Sequence, residues 1–108
     1  VDHSDEREAR RAELERQMGE PITLDALTGA WSILQRKRGH RHSTDDVLTA
    51  YYALCHGPAV DTSLDLGTGI GTVGLLTLHG LGPAASLWCV EAQEVSYALL
   101  RENIALNG

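Results

Sequence analysis

Hydrophobic and polar positions change pattern several times along the chain. Between residues 4 and 18 the apolar side chains are few: Ala9, Ala12, Leu14 and Met18. Ser4 or Asp5 can cap a helix there, and Glu/Arg pairs such as Glu6/Arg10 recur at helical spacing. The pattern predicts a helix over 4–18 whose apolar stripe is too thin to bury firmly, so that it frays or lies on a partner. Gly19 and Pro21 end it. Ile22 to Leu27 is ambiguous between a strand and a helical turn. Trp31 to Gln35 is short, aromatic and β-branched, which predicts a strand.

Farther on, Ser43 or Thr44 caps a predicted helix running to about Cys55, with Asp45 and Asp46 in its first turn. Val47, Leu48, Tyr51, Tyr52 and Leu54 are its expected buried side, which makes the two tyrosines packing residues rather than a base-stacking platform. Gly57-Pro58 stops it. Ser63 to Leu66 then predicts a strand, Gly67 to Gly71 a turn, and Ile70 to His79 a helix. Ser86 to Glu91 is continuously apolar before its last residue, as in a strand covered on both faces. Gln93 to Leu106 predicts a last helix with Val95, Ala98, Leu99, Glu102 and Leu106 on one side, and Asn107-Gly108 is a stop signal. From Ser63 onward the order β-α-β-α is the opening half of a Rossmann-like, doubly wound parallel sheet. Three parts are expected: a charged helix or arm over 1–20, a pre-sheet segment over 21–60, and an incomplete cofactor-binding domain over 61–108.

Length and composition narrow this picture. At 108 residues, 43% hydrophobic and 22% charged, the chain suits one small globular domain. No apolar run approaches the roughly 20 residues of a membrane span. Cys55 and Cys89 fit a reduced compartment, here expected to be the cytoplasm, with both as small buried apolar side chains. No CxxC motif or Cys/His cluster points to a metal. Net charge is −6, which does not favour nucleic acid as a partner of the whole chain. Residues 36–42 are the exception: Arg36, Lys37, Arg38 and Arg41, with His40 and His42, form an acid-free basic run able to contact phosphate or lie solvated.

The richest chemistry lies in Ser63-Leu64-Asp65-Leu66-Gly67-Thr68-Gly69-Ile70-Gly71-Thr72-Val73-Gly74. Alternate glycines let a backbone pass close beneath a ligand, and the helix that follows aims free N–H groups at the same place. Two registers compete. Gly69-x-Gly71-x-x-Gly74 satisfies a dinucleotide fingerprint. Asp65-x-Gly67-x-Gly69-x-Gly71 begins where the strand ends, which favours the second register. Glu91 ends the next strand, 24 residues after Gly67, where a carboxylate can accept both ribose hydroxyls. Asp65 would be an unpaired charge in a buried sheet unless backbone N–H groups or a ligand's ammonium relieved it. No P-loop lysine follows the glycines, which argues against an ATPase.

At these residues the chain resembles a class I S-adenosylmethionine-dependent methyltransferase. Leu64 to Gly71 is similar to that family's first motif and Val90-Glu91 to its ribose-binding acid. Arg101 to Gly108 resembles the helix that follows in many small-substrate, RNA and protein methyltransferases. Gln35 to Asp45 resembles the segment ahead of the first strand in tRNA(Val) adenine-N6 methyltransferases, with His40 and His42 in place of aromatic residues. The resemblance implies S-adenosyl-L-methionine as cofactor, held by Asp65, Gly67, Thr68, Gly69, Gly71 and Glu91, with Asp45 nearby. It implies an enzyme that methylates nitrogen on RNA (adenine) or protein, the chain supplying the N-terminal, cofactor-binding part.

The family's Asn/Asp-Pro-Pro-Tyr/Phe motif is absent, since Pro21, Pro58 and Pro83 are all isolated, and no catalytic residue is assigned. An NAD(P)-dependent oxidoreductase is the alternative enzyme. A methyltransferase-like module binding a partner through its acidic first helix is the alternative outside enzymes. A two-stranded sheet leaves edges open, so self-association, or stabilisation by further chain, is also expected.

Overall fold

The computed structural model describes residues 4–39 and 41–108 as a mixed α/β fold. Its elements are α1 (Ser4–Met18), β1 (Ile22–Thr28), β2 (Trp31–Arg36), α2 (Thr44–His56), β3 (Thr62–Leu66), α3 (Thr72–Leu81), β4 (Ser86–Val90) and α4 (Glu94–Leu106). Strands β1 and β2 form an antiparallel hairpin, and β3 and β4 a parallel pair. His40, part of the basic run, lies outside the described residues.

The ambiguous stretch after Pro21 is strand. Gly29, at φ 53°, turns it into β2, and a Cβ there would lie 2.9 Å from His79 Nε2 on α3. Leu24 and Leu34 face each other across the hairpin.

The first helix does not wait for a partner. Leu14 is buried with Ile22, Leu34 and Leu99, and Met18, Leu24, Ile70 and Leu106 pack around them. Burying one such leucine contributes about 2 kcal/mol. Polar contacts supply what the thin stripe lacks: Arg7 Nη1 donates to Ser32 Oγ at 3.0 Å, Arg11 Nη1 to the Ile22 carbonyl at 3.0 Å, and Arg10 pairs with Glu102 at 2.9 Å. Because Leu14, Ile22, Leu34 and Leu99 come from α1, the hairpin and α4, one core spans all three parts expected from the sequence.

Helix α4 meets β2 through two asparagines. Asn103 Oδ1 accepts the Leu34 N–H at 2.6 Å, and its Nδ2 donates to the Leu34 carbonyl at 3.0 Å and the Ile70 carbonyl at 2.9 Å. One turn on, Asn107 Oδ1 accepts the Ser32 N–H at 2.9 Å and Nδ2 donates to the Ser32 carbonyl at 2.8 Å. Four helical residues rise about 6 Å, close to the span of two strand residues, so the spacings match. The buried face of α4 is Leu99, Leu100 and Asn103; Val95, expected there, is exposed.

Helix α2 corrects a second expectation. It packs on α3 with Leu54 against Gly80, where a Cβ would lie 2.4 Å from Leu54 Cδ1. Val47, Leu48, Tyr51 and Tyr52 are exposed, and so is Cys55. Helical periodicity marks an apolar face; it does not supply the neighbour that would bury it. The same holds for β4. Leu64, Leu66, Trp88 and Val90 share one face of the parallel pair and are all exposed, Leu66 at 71% and Trp88 at 68%. Among the described residues the sheet is covered on one face rather than two, with Asp65, Leu87 and Cys89 half-buried on the side of α3.

Candidate functional site

The tips of β3 and β4 lie side by side, Leu66 against Val90. The chain leaves β3 into a turn in which Gly67, Gly69 and Gly71 all have positive φ (66°, 62° and 98°), a region that costs an L-residue about 1–2 kcal/mol. These angles delay the helix: α3 starts at Thr72, two residues later than the apolar pattern predicts. The turn is tied down by Thr68 N–H to the Val90 carbonyl at 3.1 Å and Gly71 N–H to the Thr68 carbonyl at 3.0 Å.

The glycines serve different ends. A Cβ on Gly67 or Gly69 would meet no atom within 4 Å, so the space above the turn is open. On Gly71 it would meet Leu100 Cδ1 at 2.8 Å, and on Gly74 it would meet Asp65 Oδ2 at 2.9 Å and Leu87 Cδ2 at 3.2 Å. Gly71 and Gly74 are therefore demanded by packing beneath the turn. Gly67 and Gly69 are demanded by backbone conformation and leave room for a ligand.

Glu91 points at this turn. Its Oε1 accepts the Gly69 N–H at 2.8 Å and its Oε2 the Gln93 N–H at 2.9 Å. Bonds from the backbone of Gln93, then Gly69, hold its pKa below the ordinary glutamate value despite partial burial. Backbone N–H groups of Gln93, Gly69 and Ala92 take three of a carboxylate's about four lone-pair sites, so one remains for a further donor.

Asp65 sits beneath. Thr68 Oγ1, buried, donates to Asp65 Oδ2 at 2.6 Å and lies 3.7 Å from Cys89 Sγ. Thr68 thus faces inward, fixing the turn, and its hydroxyl is not at the mouth. Burial raises the Cys89 thiol pKa, and the Asp65 charge adds to it. Asp45 lies exposed in the first turn of α2; its carbonyl accepts the Thr49 hydroxyl at 2.8 Å, and no hydrogen bond joins it to the glycine turn. The capping box of that helix is Ser43 with Asp46.

The basic run divides. Arg36 pairs with Glu20 at 2.6 Å, while Arg41 donates to the Arg36 carbonyl at 2.8 Å and pairs with Asp25 at 3.2 Å. Gln35, buried, links Asp25 Oδ2 at 2.8 Å to the His42 N–H at 2.9 Å. Lys37 and Arg38 are the cations left exposed. Asn103, which the sequence reading gave no role, reaches the turn through Ile70. Its sequence signal is a polar residue four positions after Leu99 and four before Asn107.

Three cavities are lined by none of residues 67–71. Among the described residues no group of three His, Cys, Asp or Glu side chains is placed to hold a metal, and no helix is long and apolar enough to cross a membrane. No family model matches the chain, and neither does any curated protein or solved structure.

Proposed function

We propose that the chain is the cofactor-binding part of an S-adenosylmethionine-dependent methyltransferase acting on nitrogen in RNA or protein. The observation that carries this reading is the Glu91 carboxylate bonded to Gly69 N–H, beneath open space over Gly67 and Gly69. The acceptor site left on Glu91 suits a hydroxyl of a ribose. Asp65 Oδ2 is used by Thr68, which leaves Oδ1 for the ammonium of the methionyl part. The bound cofactor would supply an activated methyl group. The residues here bind and orient it, and positioning is the main contribution such a site makes to methyl transfer. Asp45, exposed on the first turn of α2, stays the least supported member of the proposed site.

One observation favours a dinucleotide instead. Gly74 packs α3 onto β3 and β4 as the third glycine of that fingerprint does. Calorimetric titration separates the two: saturable binding of S-adenosylhomocysteine, lost in Glu91→Ala, supports the first reading. Binding of NAD alone supports the second, and binding of neither removes both.

A further inference from the structure

We infer that the cavity between α3 and α4 is a second ligand site, suited to a small carboxylate with an aromatic or branched apolar body. It is independent of the glycine-turn reading. The cavity measures about 730 Å³, within the size of small-molecule pockets. Its walls are apolar: Leu75 and Leu78 from α3, Leu87 from β4, Leu100 and Ile104 from α4, and Trp31 from the hairpin. His79 stands edge-on to Trp31, ring centroids 5.0 Å apart.

Charge sets the polarity of the ligand. No Asp or Glu lines the cavity, although the chain carries a net charge of −6. Arg101 does line it, is exposed, and has no hydrogen bond or ion pair among the described residues. By contrast Arg7, Arg10, Arg11, Arg16, Arg36 and Arg41 each donate to an oxygen of the protein. An unpaired guanidinium on an apolar cavity without Asp or Glu side chains favours an anion whose body fills the apolar part. The floor is shared with the glycine turn: Leu75 and Leu100 underlie Gly71, and Cys89 lies beside Thr68. Occupancy should therefore register at the turn.

The test uses 4-phenylbutyrate and its uncharged amide. In a Trp88→Phe background the remaining Trp31 reports on the cavity by fluorescence. The acid should bind saturably and about fivefold tighter than the amide. Arg101→Gln should erase that preference while leaving the amide's binding, and Ile104→Trp should block both ligands. Equal binding of acid and amide, an Arg101→Gln variant that keeps the preference, or no saturable change would each overturn the assignment. Arg101→Gln alters an exposed side chain, so that arm stands even if Ile104→Trp fails to fold.

Discussion

Asn103 and Leu34 are joined twice, Leu34 N–H to Asn103 Oδ1 at 2.6 Å and Asn103 Nδ2 to the Leu34 carbonyl at 3.0 Å. The side-chain amide thus does for β2 what a neighbouring strand would do. Its remaining proton goes to the Ile70 carbonyl at 2.9 Å, so all of its donors are used in a fully buried position. Asn103→Leu should leave two buried backbone groups and one part-buried carbonyl without partners and destabilise the fold by about 3 kcal/mol, read from urea unfolding. Amides of the glycine turn should exchange faster as well. A loss below about 0.5 kcal/mol would mean that the contacts with Leu34 and Ile70 are dispensable.

Gly74 and Gly69 should behave differently on substitution by alanine. A Cβ at Gly74 meets Asp65 and Leu87, so Gly74→Ala should cost about 1–3 kcal/mol through overpacking. Gly69→Ala pays for its positive φ, about 1–2 kcal/mol, and also fills open space above the turn. Thermal unfolding measures the first effect. Ligand titration at matched folded fraction measures the second, with loss of affinity expected for Gly69→Ala only.

Asp25 supplies a pH dependence. Burial raises its pKa, but bonds from Gln35, Thr23 and Arg41 outweigh this and leave it lowered. A carboxyl whose folded pKa is depressed adds stability above its unfolded value, and that stability is lost as pH falls through the folded value. The urea midpoint of the native chain should therefore drop more steeply below about pH 4 than that of Asp25→Asn. Parallel curves for the two would show that the network does not favour the charged form.

The bare sheet face has a measurable consequence. Leu64, Leu66, Trp88 and Val90 present contiguous apolar surface on β3 and β4. Leu66→Thr with Val90→Thr should change stability by less than about 1 kcal/mol, because both positions are already exposed. Concentration-dependent association, followed by sedimentation velocity, should fall in the same variant. Unchanged association would place the contact elsewhere.

Local chemistry was legible in the sequence, and neighbours were not. Gly19 with Pro21, Gly57 and the Ser43 cap mark real boundaries, because turn geometry and capping depend on a few adjacent residues. The position of Glu91 beside the turn is legible because strand length and the β-α-β spacing place it at the same end as Gly67. Burial on α2 was misjudged because apolar periodicity cannot say whether anything covers Tyr51 or Tyr52. The docking of α1 was missed because it depends on Arg7, Arg10 and Arg11 reaching elements far along the chain. The hydroxyl of Thr68, a cofactor contact by resemblance, goes to Asp65, because a motif names a residue without saying which way its side chain faces.

The most direct test of the glycine turn is an ¹H–¹⁵N spectrum of the labelled chain titrated with S-adenosylhomocysteine. The amides of Gly67, Gly69 and Gln93 should shift together and saturate, and in Glu91→Ala they should not. Shifts confined to other regions, or a spectrum that does not move, would contradict an adenosine cradled between Glu91 and the glycines.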